Sequence, residues 1–104
     1  IPSEIGLLTS LKNLDLSHNS FTGTLPSEIG SLTGLTKLQT YSNQMTGPLP
    51  SEIGLLTSMK LLWMHYNMLS GTIPSEIGLM TDLIEIVLFN SSLTGSIPTE
   101  IELL

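Results

Sequence analysis

Apolar residues recur along this chain in one short pattern. In its first copy, Leu11, Leu14 and Leu16 are apolar, and the residues between them are polar. The part from Leu14 to Leu16 has the alternation of a strand that buries one face. So short a strand cannot bury that face alone, so the pattern predicts that successive copies stack side by side as one parallel sheet.

A second segment, Pro-Ser-Glu-Ile-Gly, lies between the predicted strands. Proline suits the first position of a short helical turn because no N–H is needed there, and the glutamate two residues later meets the positive end of that turn. The glycine that follows is suited to ending it. The segment therefore predicts short turns of 3-10 character, which carry the chain from one strand to the next.

This segment recurs every 24 residues, with copies that start at Ile1, Leu25, Leu49, Ile73 and Ile97. We therefore predict one domain of stacked units without linkers, with the boundaries 1–24, 25–48, 49–72, 73–96 and a partial unit 97–104. Thr40 stands at a position that is apolar in the other units. A buried hydroxyl there must find a partner or cost about 1 to 3 kcal/mol.

The full unit reads L-x-x-L-x-L-x-x-N-x-L-x-G-x-I-P-x-x-I-G-x-L and resembles the plant-type leucine-rich repeat of receptor-kinase ectodomains and polygalacturonase inhibitors. The resemblance covers the whole chain. It implies an α/β repeat solenoid: a right-handed superhelix with a parallel β-sheet on the concave face and short 3-10 turns on the convex face. It also implies an extracellular or cell-surface location and ligands that dock on the concave side.

Asparagine recurs where each predicted strand bends into the following loop, at Asn19, Asn43 and Asn67. An amide can both donate and accept, so it can satisfy the backbone groups of a buried bend. In the family that the chain resembles, this asparagine ladder bonds the backbone of the next turn. Ser91 interrupts the ladder, so we expect the fourth unit to be held less tightly.

The most variable positions are those on the outward face of the strands. Units one and two carry mainly polar residues there, whereas units three and four carry apolar and aromatic ones, with Tyr41 of unit two at the border. Such patches mark binding sites more often than chance, and Trp and Tyr are enriched in interfaces. The competing interpretation is that cross-strand pairs stabilise the sheet by about 0.2 to 1 kcal/mol each. We predict a ligand-binding surface, the concave patch, formed by Tyr41, Leu61, Trp63, His65, Tyr66, Ile84, Val87 and Phe89.

Charge and composition narrow the range of partners. Nine acidic residues against three lysines give a net charge of -6, which argues against nucleic acid or an anionic membrane surface. The chain has no cysteine, so it contains no disulfide and no cysteine metal site. Its longest apolar runs are a few residues, so we expect no membrane span and no signal peptide within this segment.

Catalytic chemistry is not indicated. No nucleophile–base pair, phosphate-binding glycine loop or metal-ligand spacing occurs, so we predict no enzyme activity, cofactor or metal. One further column consists of glutamates that are best explained by stabilisation of the turns, with weak calcium binding as the alternative: Glu4, Glu28, Glu52, Glu76 and Glu100.

The leading functional hypothesis is a non-catalytic recognition module that binds a protein, a peptide or a glycan through the concave patch. The alternative is a structural scaffold segment or a subunit of a larger assembly or cell-surface layer. Repeat arrays need polar terminal units and this chain has none, so we expect neighbouring repeats or subunits to cover its ends. A third possibility is an ice-binding surface, suggested by two columns of hydroxyl residues: Thr9, Thr33, Thr57 and Thr81, and Thr22, Thr46, Ser70 and Thr94.

One modification motif is present. Asn90-Ser91-Ser92 is an N-x-S sequon, the acceptor for N-linked glycosylation in secreted proteins. We expect that a glycan on Asn90 would cover one edge of the concave patch.

Overall fold

A parallel sheet carries the outward-facing residues. The computed structural model describes residues 1–103, so Leu104, the last residue of the predicted partial unit, lies outside the described residues. Within that range the strands in chain order are β1 (Asn13–Asp15), β2 (Thr22–Gly23), β3 (Lys37–Gln39), β4 (Gln44–Gly47), β5 (Leu61–Trp63), β6 (Met68–Leu69) and β7 (Glu85–Val87).

Strands β1, β3, β5 and β7 form the main sheet. All three pairings are parallel, and each joins residues that are 24 positions apart in the sequence, as in Leu14 with Leu38. The central residue of β3 and that of β5 are fully buried, while their neighbours on the strand are exposed or partly so. The predicted short strands and their parallel stacking are therefore confirmed.

Strands β2, β4 and β6 form a second parallel sheet, the flank sheet. Its pairings join residues 22 positions apart, as in Thr22 with Gln44 and Thr46 with Met68. In the fourth unit it is reduced to one isolated bridge between Thr72 and Thr94. The sequence pattern did not predict this sheet.

Five 3-10 helices connect the sheets, at Ser3–Leu7, Ser27–Ser31, Ser51–Leu55, Ser75–Leu79 and Thr99–Leu103. This confirms the predicted turns, with a shift of one residue for the proline. Pro26 has extended backbone angles (φ -70°, ψ 146°) and precedes the second helix instead of occupying its first position. Its carbonyl accepts the first helical hydrogen bond, from Ile29 N–H at 3.1 Å. Glu28 lies in the first turn, as expected.

The glycine of each helix has a different role from the predicted one. Gly30 lies inside its helix, which ends one residue later at Ser31, so glycine does not terminate the turn. A Cβ atom added to Gly30 would lie 2.8 Å from the carbonyl oxygen of Glu52 in the next unit. A Cβ atom added to Gly54 would lie 2.6 Å from the carbonyl oxygen of Glu76. Glycine is therefore required because the backbone of the next unit packs directly against it.

The core lies between the main sheet and the 3-10 helices. Its fully buried side chains come mainly from the second and third units, including Ile29, Leu38, Ile53 and Leu62. Thr40 is also fully buried, and its Oγ1 atom has no hydrogen-bond partner. The expected cost of a hydroxyl at this position is therefore present in the folded protein.

Candidate ligand-binding surface

Three aromatic rings from consecutive units are stacked beyond the ends of the strands. The rings of Tyr41 and His65 are 4.6 Å apart between centroids, with an interplanar angle of 5°. The rings of His65 and Phe89 are 4.7 Å apart, with an angle of 26°. The imidazole of His65 therefore lies between two aromatic faces.

Backbone hydrogen bonds fix the spacing of this stack. Ser42 N–H donates to the carbonyl of His65 at 3.0 Å, and Tyr66 N–H donates to the carbonyl of Phe89 at 3.2 Å. The loops after the strands thus continue the pairing of the main sheet from unit to unit. Rings that occupy the same position in successive units are consequently held within stacking distance.

Further rings contact the stack at its edges. The ring centroids of Trp63 and Tyr41 are 6.3 Å apart. Those of Tyr66 and Phe89 are 5.2 Å apart, with an interplanar angle of 80°. The imidazole of His18 lies edge-on to the ring of Tyr41, with 5.0 Å between the ring centroids. His18 was not predicted to belong to the concave patch, because the first unit is otherwise polar on this face. Only the side-chain geometry connects it with the patch.

The aliphatic members of the concave patch lie beside the rings. Leu61 and Trp63 are on the same face of β5, and Val87 is the partner of Trp63 on the neighbouring strand β7. Ile84 lies just before β7, where its N–H donates to the carbonyl of Lys60 at 2.9 Å. Ile84 is 77% exposed, Phe89 53% and Tyr66 51%, while Tyr41, Leu61, Trp63, His65 and Val87 are partly buried.

Two polar atoms in this surface are buried without a partner: Nε1 of Trp63 and Nδ1 of His65. Burial lowers the pKa of His65 below the ordinary histidine value of 6.5, and the nearby charge of His18 lowers it further. The neutral imidazole is therefore favoured, which suits its position between two apolar ring faces.

The residues that follow the stack form a rim with left-handed backbone conformation. Their φ angles are 53° for His18, 56° for Ser42, 53° for Tyr66 and 50° for Asn90. Few residues other than glycine adopt this conformation, and asparagine is among those that do so more readily. The bend it produces directs the chain from the main sheet towards the flank sheet.

The asparagine ladder bonds the preceding unit, which corrects the predicted direction. Asn43 Nδ2 donates to the carbonyl of Leu16 at 2.9 Å, and its Oδ1 accepts from Phe21 N–H at 2.9 Å. Asn67 repeats both contacts one unit later. Asn19 is exposed, and its side chain bonds only the carbonyls of Leu16 and Ser17 in its own unit. Asn43 and Asn67 therefore each fasten their own unit onto the unit before it.

The acidic residues lie mostly away from the concave patch. In four of the turns the glutamate accepts a hydrogen bond of 3.4 Å from the preceding serine, as Glu28 does from Ser27. In the part of the chain that the structure describes, no three His, Asp or Glu residues converge to hold a metal ion. Asp15, on β1, has a lowered pKa because Ser17 donates two hydrogen bonds to it, from its side chain and its backbone.

Among residues 1–103, no helix is long and apolar enough to cross a membrane.

The family model for the leucine-rich repeat matches residues 10–32 and 58–80. No curated protein matches the chain.

Solved structures match over nearly the whole chain. The plant peptide hormone receptor RGFR1 in complex with RGF2 is 40% identical, with a TM-score of 0.95 over 97% of this chain and 16% of that chain. The ectodomain of the Arabidopsis receptor kinase HAESA, in complex with an IDA peptide hormone, is 38% identical, with a TM-score of 0.94 over 97% of this chain and 17% of that one. A plant ice-binding protein is 31% identical, with a TM-score of 0.90 over 97% of this chain and 33% of that chain. The chain thus spans a third or less of each of these proteins.

Proposed function

The chain is a leucine-rich repeat array of the 24-residue plant type, and from this premise we propose that it is a non-catalytic recognition module that binds an extended peptide segment through its concave patch. The observation that carries the proposal is the exposure of large apolar side chains on the outward face of the main sheet. Ile84, Phe89 and Tyr66 are each more than half exposed, although the core lies on the other side of the sheet. Folding gains little from apolar side chains at such positions, whereas a ligand that covers them gains their burial.

The ring geometry favours a peptide over a glycan. A sugar packs its C–H groups onto an open aromatic face, but the faces of Tyr41 and His65 cover each other and Phe89 covers the second face of His65. The covered faces are closed to a sugar, and the stack continues along the sheet as an apolar ridge through Trp63, Leu61 and Val87. Ridges of this kind suit the apolar side chains of an extended peptide.

The matched structures support the same ligand class and an extracellular location. RGFR1 and HAESA are plant receptors whose structures contain bound peptide hormones. This chain covers only 16% and 17% of them, so its role as part of a receptor ectodomain at the cell surface is likewise our proposal.

The test starts from a displayed library of random peptides and a panel of oligosaccharides, both presented to the protein. The affinity of each selected ligand is then measured for the double variant Ile84→Thr/Phe89→Ser. We expect peptides with apolar residues to be selected and the double variant to bind them at least about tenfold more weakly. The matched control is Asn13→Ala/Lys37→Ala, on the polar part of the same sheet, which should retain the affinity.

Circular dichroism and a urea unfolding curve show whether both variants keep the fold. Equal affinity of the wild-type protein and a folded Ile84→Thr/Phe89→Ser variant would refute the concave patch as the site. Selection of oligosaccharides alone would refute the ligand class.

A second candidate function, ice binding, is favoured by the flank sheet and by the match to a plant ice-binding protein. Five exposed threonines lie on or beside this sheet, at Thr22, Thr24, Thr46, Thr72 and Thr94. The methyl group of Thr24 lies over Gly47, 2.7 Å from where a Cβ atom would be, and that of Thr72 lies over Gly95 at 3.0 Å. Glycine thus lets Thr24 and Thr72 pack flat on the next unit, while Pro48 takes the same place over Gly71. Neighbouring strands of this flat surface are about 4.8 Å apart.

Inhibition of ice recrystallisation tests this candidate separately. If the flank sheet binds ice, Thr22→Tyr/Thr46→Tyr should abolish inhibition because two bulky side chains break the flat array, while Ile84→Thr/Phe89→Ser should leave it unchanged. A wild-type protein without inhibitory activity would exclude the candidate. The scaffold alternative stays a prediction.

A further inference from the structure

The fourth unit carries its asparagine one position earlier than the preceding units do. In the third unit Asn67 is 7% exposed, and its side chain makes hydrogen bonds to the backbone of both its own unit and the preceding one. In the fourth unit the equivalent residue is Ser91, which is partly buried, and asparagine precedes it as Asn90, which is exposed. The Asn90 side chain takes part in none of the hydrogen bonds found among residues 1–103.

This shift has a cost for the fold. The Oγ atom of Ser91 is buried without a partner, so the serine does not replace the ladder asparagine. Beyond it the flank sheet shrinks to the single bridge between Thr72 and Thr94. Leaving a buried polar group unsatisfied costs about 1 to 3 kcal/mol. The left-handed backbone at position 90 favours asparagine there, but folding does not explain why the ladder position holds serine instead of a second asparagine.

We propose that Asn90 is an N-glycosylation site and that its glycan covers the fourth-unit edge of the concave patch. This proposal depends on the extracellular location proposed above. Shifting asparagine to position 90 creates the Asn90-Ser91-Ser92 sequon. In the modification, Nδ2 of Asn90 forms a bond to C1 of an oligosaccharide carried on a lipid pyrophosphate. The bond from C1 to the pyrophosphate oxygen breaks, the lipid pyrophosphate leaves, and the amide nitrogen loses one proton.

The local geometry accommodates the product. Asn90 lies in a surface bend with φ 50°, and both Asn90 and Ser92 are exposed. The backbone on either side is held, because Asn67 N–H donates to the Asn90 carbonyl at 3.3 Å and Ser92 N–H donates to the Leu69 carbonyl at 2.8 Å. A glycan on the Asn90 side chain projects from this bend without breaking a side-chain hydrogen bond.

The same position determines what the glycan covers. Phe89 precedes Asn90 directly, and Tyr66 occupies the equivalent rim position one unit earlier, with its ring 5.2 Å from that of Phe89. Both side chains are about half exposed. The glycan therefore lies beside the two most exposed rings of the concave patch and limits the direction from which a peptide can approach.

The first part of the test uses the chain secreted from eukaryotic cells behind a cleavable signal sequence, with peptide mass spectrometry to locate glycans. We expect a glycan on Asn90 in the wild-type protein and none in Asn90→Gln or Ser92→Ala. The matched control is His18→Asn in an Asn90→Gln background, because it places a sequon at the same rim position of the first unit. Secreted, folded wild-type protein without a glycan on Asn90 would overturn the proposal, whether or not the control is modified.

The second part measures coverage by hydroxyl-radical footprinting before and after enzymatic removal of the glycan. We expect oxidation of Tyr66 and Phe89 to increase by about twofold or more on removal. Removing the glycan from the His18→Asn/Asn90→Gln control should leave their oxidation unchanged. Equal oxidation of the wild-type protein before and after removal would refute the coverage. The peptide-binding test is to be run on protein produced in bacteria, which carries no N-linked glycan, so its outcome does not depend on Asn90 and the two proposals fail independently.

Discussion

The side-chain amide of Asn67 donates to the carbonyl of Thr40, 2.9 Å away in the preceding unit. The carbonyl oxygen of the same side chain accepts from Met45 N–H at 3.0 Å. One buried side chain therefore satisfies backbone groups at two separate places in its neighbour. The units are fastened together by this contact as well as by the sheets.

Asn67→Ala should therefore destabilise the array by about 3 kcal/mol, because Met45 N–H and the Met64 carbonyl lose their side-chain partner in the core. The Thr40 carbonyl keeps one partner, the side chain of Asn43. The free energy of unfolding in urea measures the effect. Asn19→Ala is the matched control: its side chain is exposed and bonds only its own unit, so the loss should stay below about 1 kcal/mol. Equal losses in the two variants would contradict a role of the ladder in joining units.

Thr40→Val should stabilise the protein by about 1 kcal/mol. Valine has nearly the shape of threonine, and the substitution removes a fully buried Oγ1 atom that has no partner. Thr36→Val is the control, because the Thr36 hydroxyl donates to the Lys12 carbonyl at 2.9 Å at an exposed site. It should be neutral or slightly destabilising. A destabilised Thr40→Val protein would show that the hydroxyl has a partner in solution.

Gly54→Ala should destabilise the protein by about 2 kcal/mol or more, because the added Cβ atom would lie 2.6 Å from the carbonyl oxygen of Glu76. Gly23→Ala separates steric contact from backbone strain. Gly23 has φ 75° and nothing within 4 Å of an added Cβ atom, so the substitution should cost about 1 kcal/mol. Thermal or urea unfolding measures both. A milder effect at Gly54 than at Gly23 would contradict the close packing of successive turns.

The main sheet could be predicted because its residues repeat strictly. Leu14, Leu38 and Leu62 occupy one position of successive units, and their alternation with variable residues identifies the buried face. The flank sheet was not predicted, because segments such as Thr22–Gly23 are too short to show alternation. Their partners, such as Gln44 for Thr22, also do not follow the 24-residue spacing of the repeat. The steric reason for Gly30 was also missed, since it depends on the backbone of the next unit.

The candidate site could be predicted only in part, for a related reason. Alternation along β5 shows which of its residues face outward, so Leu61 and Trp63 could be assigned to one surface. The stacking of Tyr41 on His65 depends on side-chain rotation, which the pattern does not encode. The contact of His18 with Tyr41 was missed on the same ground. The ligand-binding role of these residues stays a prediction.

Acidification should destabilise the protein through His65. Its pKa is lowered in the folded state by burial and then by His18, so the unfolded chain takes up the proton first as the pH falls. The stabilising contribution of the neutral imidazole is complete above the unfolded pKa, close to 6.5, and is lost as the pH falls through the lower folded pKa. The ionisable groups that face the imidazole are His18, Tyr41 and Tyr66, and Trp63 and Phe89 add no charge.

His65→Phe keeps an aromatic ring in the stack and removes the titration. We expect the wild-type protein to lose stability between about pH 7 and pH 5, and the variant to lose less over the same range. Urea unfolding at each pH gives the difference. The control is His18→Gln, which removes the nearby charge and should leave the dependence on His65 in place but weaker. Identical pH profiles for the wild-type protein and His65→Phe would show that the stacked imidazole does not titrate differently in the folded state.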